Sequence, residues 1–191
     1  MLTKNMTEKF IIFPTPIIKT QLEENLNIFK EFALSLKENK IFTNVGGFHS
    51  SMLNINEPPL NSLKDKITKI ANDNFFEDLK LKKNLEIENM WVNINGYKDY
   101  NQEHFHPYYI ISGIYYVNVN DQSGELKLHK NDSLHLMSLI NTTKEFNLFT
   151  SNSYLIKPKN NMLILFPSWI KHSVMPNLSQ EKRISIAFDL R

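Results

Sequence analysis

The chain has 191 residues, a hydrophobic content of 41% and 12% aromatics, which suits one domain with a substantial buried core and leaves little room for two. The formal charge is only +2, from bases scattered along the chain, so nothing in the charge pattern indicates a nucleic-acid surface. Cysteine is absent, which excludes disulfides, thiolate metal sites and cysteine nucleophiles; any metal must be held by His, Asp or Glu.

The cysteine-free composition fits a cytoplasmic, intracellular setting. The opening stretch MLTKNMTEKFIIFPTPIIKT is too short and too broken by proline for a signal or membrane helix, so no membrane partner is expected. Of 22 basic residues only Arg183 and Arg191 are arginines, in a chain rich in Asn, Ile and Lys. Chain-end solubility accounts for Arg191. Arg183 raises the question of whether its position needs a guanidinium fork.

In chain order, residues 10–19 alternate weakly and carry Pro14 and Pro16, as an edge strand or extended arm would. Residues 21–38 place Leu22, Leu26, Phe29, Ala33 and Leu36 at helical spacing. VGGFHS marks a turn, and Glu57-Pro58-Pro59 opens a second helix whose stripe is Leu60, Leu63, Ile67, Ile70, Ala71 and Phe75. From residue 85 the period changes to two. Segments 85–97, 110–120, 124–130, 152–157, 162–166, 172–176 and 183–190 read as strands, and 131–150 as an excursion between strands. Two helices followed by seven or eight short strands predict an α+β, mainly β fold: a jelly roll buttressed by N-terminal helices. The whole of 1–191 forms a single domain, with helical support over about 20–80 and the jelly-roll core over about 85–191.

Three segments carry chemistry. In NQEHFHPYY, extended backbone puts His104 and His106 on one face, where two imidazoles can chelate one metal ion; alone, such a pair also suits surface or core histidines. In NMLILFPSWIKHSVMPN, a buried strand and a turn bring His172 to the start of a returning strand, as a third ligand or as a strand cap. In EKRISIAFDL, Ile184, Ile186, Phe188 and Leu190 form the natural layer against the helices. Arg183, Ser185 and Ala187 then look into the barrel, unless the strand is an exposed edge with Arg183 in solvent. An inward guanidinium needs an anion, and a dicarboxylate ligand would supply one, held bidentately by Arg183 with a hydroxyl from Ser185.

His-x-His, a distant His and then Arg-x-Ser together resemble the 2-oxoglutarate/Fe(II) oxygenase superfamily, and within it a bacterial and phage branch. The landmarks are Phe13-Pro14-Thr15-Pro16, Trp91-x-Asn93, Asn101-x-x-His104-x-His106-Pro107, Ser112-Gly113-x-Tyr115-Tyr116, Phe166-Pro167-Ser168-Trp169-x-x-His172, Pro176-Asn177 and Arg183-Ile184-Ser185-Ile186-Ala187-Phe188. The resemblance implies a double-stranded β-helix with Fe(II) on His104, His106 and His172. It implies 2-oxoglutarate as co-substrate with its far carboxylate on Arg183, and O2 consumed, with loss of CO2, to hydroxylate or otherwise oxidise an unidentified substrate. The superfamily's usual set is two His and one carboxylate; here His106 stands in the carboxylate's place, either as a third imidazole ligand or as a neighbour of two.

Tyr115 and Tyr116 point to opposite faces, so at most one reaches the site; Tyr115, with Asn93, is taken as a co-substrate contact. Trp91 and Trp169 are read as packing residues, and His49, His129 and His135 as surface or structural. Segments 40–56 and 131–150 are expected to shape the barrel mouth. Two rival functions remain: a cupin-like three-His metalloenzyme that does not use 2-oxoglutarate, and a non-catalytic jelly-roll module. Arg-x-Ser on the inner face favours the oxygenase.

Overall fold

The computed structural model describes residues 8–37, 40, 42–132, 134–139, 142–145 and 147–191. Its first helix, α1 (Leu26–Ser35), starts four residues later than the heptad-like spacing from Leu22 suggests. Asn25 takes extended backbone geometry and its side chain accepts the Asn27 N–H at 3.2 Å, so it caps the helix rather than extending it. Residue 38, the end of the expected stretch, lies outside the described residues. The second helix, α2 (Leu60–Phe75), buries Leu60, Leu63, Ile67, Ala71 and Phe75, the predicted stripe except for the half-buried Ile70.

Eleven strands are described: β1 (Ile18–Gln21), β2 (Asn44–Val45), β3 (Phe48–His49), β4 (Ile87–Asn95), β5 (Tyr100–His104), β6 (Ile111–Asn118), β7 (Leu126–His129), β8 (Ser153–Ile156), β9 (Met162–Pro167), β10 (His172–Val174) and β11 (Arg183–Leu190). They pair antiparallel into a six-stranded sheet, β1-β9-β6-β11-β4-β3, and a five-stranded sheet, β2-β5-β10-β7-β8. The two sheets form the jelly roll; β1 is an edge strand, but it lies at Ile18–Gln21, past Pro14 and Pro16, rather than over the expected 10–19. Within 131–150 a short helix, α3 (His135–Leu139), is described.

The chain passes between sheets at Gly46-Gly47, where β2 belongs to one sheet and β3 to the other. Both glycines have positive φ, and a Cβ on Gly47 would lie 2.7 Å from the Ile94 carbonyl oxygen, so the corner closes only without side chains.

The six-stranded sheet is covered on both faces. Ile184, Ile186, Phe188 and Leu190 pack with Met90, Val92, Tyr115 and Val117 against α1 and α2 in one apolar cluster. On the opposite face Ile114, Tyr116, Ile164 and Phe166 meet Leu126, Leu128 and Ile156 of the second sheet. That double cover is why all eight residues of β11 are buried although their chemistry alternates.

Candidate active site

A cavity of about 440 Å³ opens between the sheets, and its walls include His104, His106, His172, Asn93, Arg183 and Ser185. His104 ends β5 and His172 begins β10, and the two are direct cross-strand partners. His106 lies just beyond β5; its backbone N–H donates to the Ser168 carbonyl at 3.0 Å, which turns the chain so that its ring joins the other two. One ring nitrogen from each of the three lies within 4.8 Å of the others.

Hydrogen bonding fixes the tautomers. Nδ1 of His104 is 2.7 Å from the Gln102 carbonyl, Nδ1 of His172 is 3.0 Å from the Ile170 carbonyl, and Nδ1 of His106 is 2.6 Å from a carboxylate oxygen of Asp189. Carbonyl and carboxylate oxygens only accept, so each Nδ1 carries a proton and Nε2 is the nitrogen left to face a metal. Burial pulls the His104 imidazole down to about 4, and burial with the neighbouring His104 pulls His172 well below the usual histidine range. Imidazole Nε2 donors are what a divalent transition metal requires. The donor set fits the metal.

The other end of the cavity is built around Arg183, only 1% exposed. Its Nη1 donates to the carbonyls of Ser123 at 2.6 Å and Met175 at 2.9 Å. Gly124, at φ +76°, makes room: a Cβ there would stand 2.3 Å from the Met175 oxygen and 2.9 Å from Nη1. Burial lowers the guanidinium to about 10, partly offset by Tyr116 and Asp99, so it remains cationic at neutral pH. Among the described residues four buried side-chain atoms have no hydrogen-bond partner: Arg183 Nη2, Tyr116 Oη, Asn93 Oδ1 and Asn95 Nδ2. All four residues line this one cavity. Unpaired polar groups are costly in a protein interior, and their clustering marks a site for a polar ligand.

Ser185 lies on the cavity wall opposite Asn93, its β4 partner, as expected. The structure does not bring Tyr115 there. Cross-strand partners share a face, and β11 pairs Ser185 with Tyr116 and Ile186 with Tyr115. Tyr115 therefore faces the helices, where its ring meets Phe29 edge-on and its hydroxyl donates to Asn161 Oδ1. Tyr116 takes the inward position; burial pushes its phenol up, and it stays protonated.

Other residues at the site were not anticipated. Asp189 shares the inward face of β11, as period two from Arg183 and Ser185 already implies. His49 also lines the cavity, in a stack whose ring centroids are 5.7 Å apart from His49 to Trp91 and 5.6 Å from Trp91 to His106. Trp91 thus packs against the imidazole of the site. Of the expected mouth segments, 40–56 contributes Phe42, Thr43, His49 and Met52 to this cavity. Described residues of 131–150 instead line a second cavity of about 950 Å³ with Lys19, Tyr154 and Trp169; residues 41, 133, 140, 141 and 146 lie outside the described set.

Residues 89–189, more than half of the chain and including His104, His106, His172, Arg183 and Ser185, match the family model described as "Putative 2OG-Fe(II) oxygenase". The chain belongs to the 2OG-Fe(II) oxygenase family. Similar folds occur in a prolyl-4-hydroxylase from Pseudomonas putida (14% identity, covering 92% of this chain and 91% of that one, TM-score 0.60). A viral collagen prolyl hydroxylase from Paramecium bursaria Chlorella virus-1, in complex with 2-oxoglutarate, is similar too (15%, 92% and 95%, 0.58). So is HygX from Streptomyces hygroscopicus, with nickel and 2-oxoglutarate bound (10%, 92% and 82%, 0.64). No curated protein sequence matches the chain. The oxygenase uses Fe(II) as its metal and 2-oxoglutarate and O2 as co-substrates. Among its described residues no helix is long and apolar enough to cross a membrane.

Proposed function

We propose that the oxygenase holds Fe(II) through the Nε2 atoms of His104, His106 and His172 and the distal carboxylate of 2-oxoglutarate on Arg183. The observation that carries this reading is the free Nη2 of a fully buried arginine in the same cavity as the three imidazoles. With Nη1 tied to backbone carbonyls, the guanidinium plane is held still and Nη2 remains for an anion. Ser185 and the unpaired Tyr116 hydroxyl are further donors on that wall, and Asn95 Nδ2 is a third. Asn93 Oδ1 can only accept, so it suits a substrate or water donor better than a carboxylate.

Once bound, Fe(II) and 2-oxoglutarate supply an oxidant strong enough to attack a substrate C–H bond, with succinate and CO2 as co-products. The chain's own part is to hold three rings in one tautomer, to fix the co-substrate's far end and to keep the site dry between two packed sheets. Hydroxylation is the outcome this arrangement serves most directly. Helical support and jelly roll act as one oxygenase domain, since both contribute to a single core. The cysteine-free chain suits the reducing cytoplasm.

The test is an anaerobic titration of the Fe(II) protein with 2-oxoglutarate, followed by visible absorption and calorimetry, and then succinate release in air. Saturable binding at one equivalent is expected. No binding by either method would overturn the assignment.

A further inference from the structure

Asp189 is 3% exposed, and among the described residues no lysine or arginine pairs with it. Its Oδ1 accepts the His106 Nδ1–H at 2.6 Å and the Ser112 hydroxyl at 2.7 Å. Ser112, having donated its proton to Asp189, accepts from Ser168 Oγ at 2.8 Å, and the Ser168 carbonyl takes the backbone N–H of His106. His106 is thus held at both backbone and ring by one buried network that ends on a carboxylate. His104 and His172 are held differently: their Nδ1 protons go to neutral backbone carbonyls two residues earlier in the chain.

A buried carboxylate without a cation is expensive. The cost falls if the imidazole it touches is bonded on its other nitrogen to a metal ion, because the positive charge then lies one ring away. The same relation works in reverse on the metal. Three neutral imidazoles leave a ferrous ion with its two positive charges unreduced, whereas two imidazoles and a carboxylate leave one.

We propose that Asp189 is the carboxylate of this centre, set back from the metal by one imidazole. Through the His106 Nδ1–H it orients the ring and gives the His106 ligand anionic character, so that the three-histidine site approaches the net charge of a two-histidine, one-carboxylate site. Asp189 is therefore a positioning residue, and its role rests on the reading of His106 as a ligand.

The experiment measures Fe(II) affinity, anaerobically and without substrate, for wild type, Asp189→Asn, His106→Ala and the double variant. Asp189→Asn keeps size and hydrogen-bonding capacity but removes the charge; a ten- to hundredfold loss of affinity is expected. The Fe(III)/Fe(II) potential of the loaded protein should rise, because the ferric state loses its nearby anion; a merely structural role would not move it. In the His106→Ala background, Asp189→Asn should cost nothing more. An unchanged affinity and potential in Asp189→Asn, alongside weakened binding in His106→Ala, overturns this inference and leaves the ligand assignment standing. Wild-type binding by His106→Ala overturns the ligand assignment itself. Should Asp189→Asn not fold, the Zn(II)-loaded wild type gives the answer by NMR. The His106 Nδ1 proton should resonate downfield of those of His104 and His172, because its acceptor alone is anionic; three equivalent shifts overturn the proposal.

Discussion

Arg183 donates from Nη1 to the Ser123 carbonyl at 2.6 Å, a bond 60 residues long in sequence, while Nη2 of the same guanidinium has no partner. A side chain anchored on one arm and open on the other recognises a carboxylate at little entropic cost. Arg183→Lys keeps the charge but loses the fork, so 2-oxoglutarate affinity should fall by roughly ten- to hundredfold, equivalent to about 1.5–3 kcal/mol. Iron binding should persist. Arg183→Met should remove co-substrate binding in the same anaerobic titration, and wild-type affinity in that variant would place the carboxylate elsewhere.

The metal set makes a separate prediction. Wild type should bind one equivalent of Fe(II), and His104→Ala or His172→Ala should abolish it by colorimetric iron analysis of folded protein. His106→Asp should retain iron, since it restores the usual carboxylate. Full iron content in both alanine variants would refute the site.

Tyr116 and Tyr115 form an internal control. Tyr116→Phe removes an unpaired hydroxyl at the cavity and should weaken 2-oxoglutarate severalfold with little change in Tm, a neutral hydrogen bond being worth about 0.5–1.5 kcal/mol. Tyr115→Phe removes the bond to Asn161 and should lower stability by a similar amount with affinity unchanged. Reversed results would mean that the register of β6 against β11 is off by one residue.

Acid should destabilise the metal-free oxygenase. His49, His104 and His172 are all held below the ordinary histidine value, His104 at about 4, with burial the largest cause. The unfolded chain, titrating near 6.5, binds more protons than the native one below that pH. Stability is therefore fully present above about 6.5 and declines as the pH falls toward 4. Thermal melts with chelator at pH 7.5 and pH 5 should show a lower Tm at pH 5, and a flat profile would contradict the buried neutral rings.

The sequence carried most of this architecture because two faces of β11 differ in chemistry: four aliphatic and aromatic side chains against the helices, and Arg183 with Ser185 opposite them. β5 was harder to see, since Asn101-Gln102-Glu103-His104 is polar and it is pairing with β2 and β10 that makes it a strand. The phase of β6 was not legible either. Ser112, Ile114 and Tyr116 face the cavity while Ile111, Tyr115 and Val117 face the helices; each set holds one Ile and one Tyr, so only Ser112 against Val117 tells them apart. A register shift at Ile184/Ser185 then decides which tyrosine meets Ser185. Asp189 was missed for another reason: a lone acid near a chain end looks solvated until the strand is known to be covered on both faces. His49 gave no signal because its partners, Trp91 and the cavity, are distant in sequence.

The double cover of β11 means that damage there divides into two kinds, one position at a time. Substitution of Ile184, Ile186 or Phe188 by alanine empties core volume at about 2–5 kcal/mol, and would register as less folded protein in the cell. Substitution at Arg183, Ser185 or Asp189 leaves that core intact and would register as normal amounts of a protein that turns over slowly or not at all. Scanned residue by residue, abundance and turnover along this strand should rise and fall out of step, each with the two-residue rhythm of the backbone.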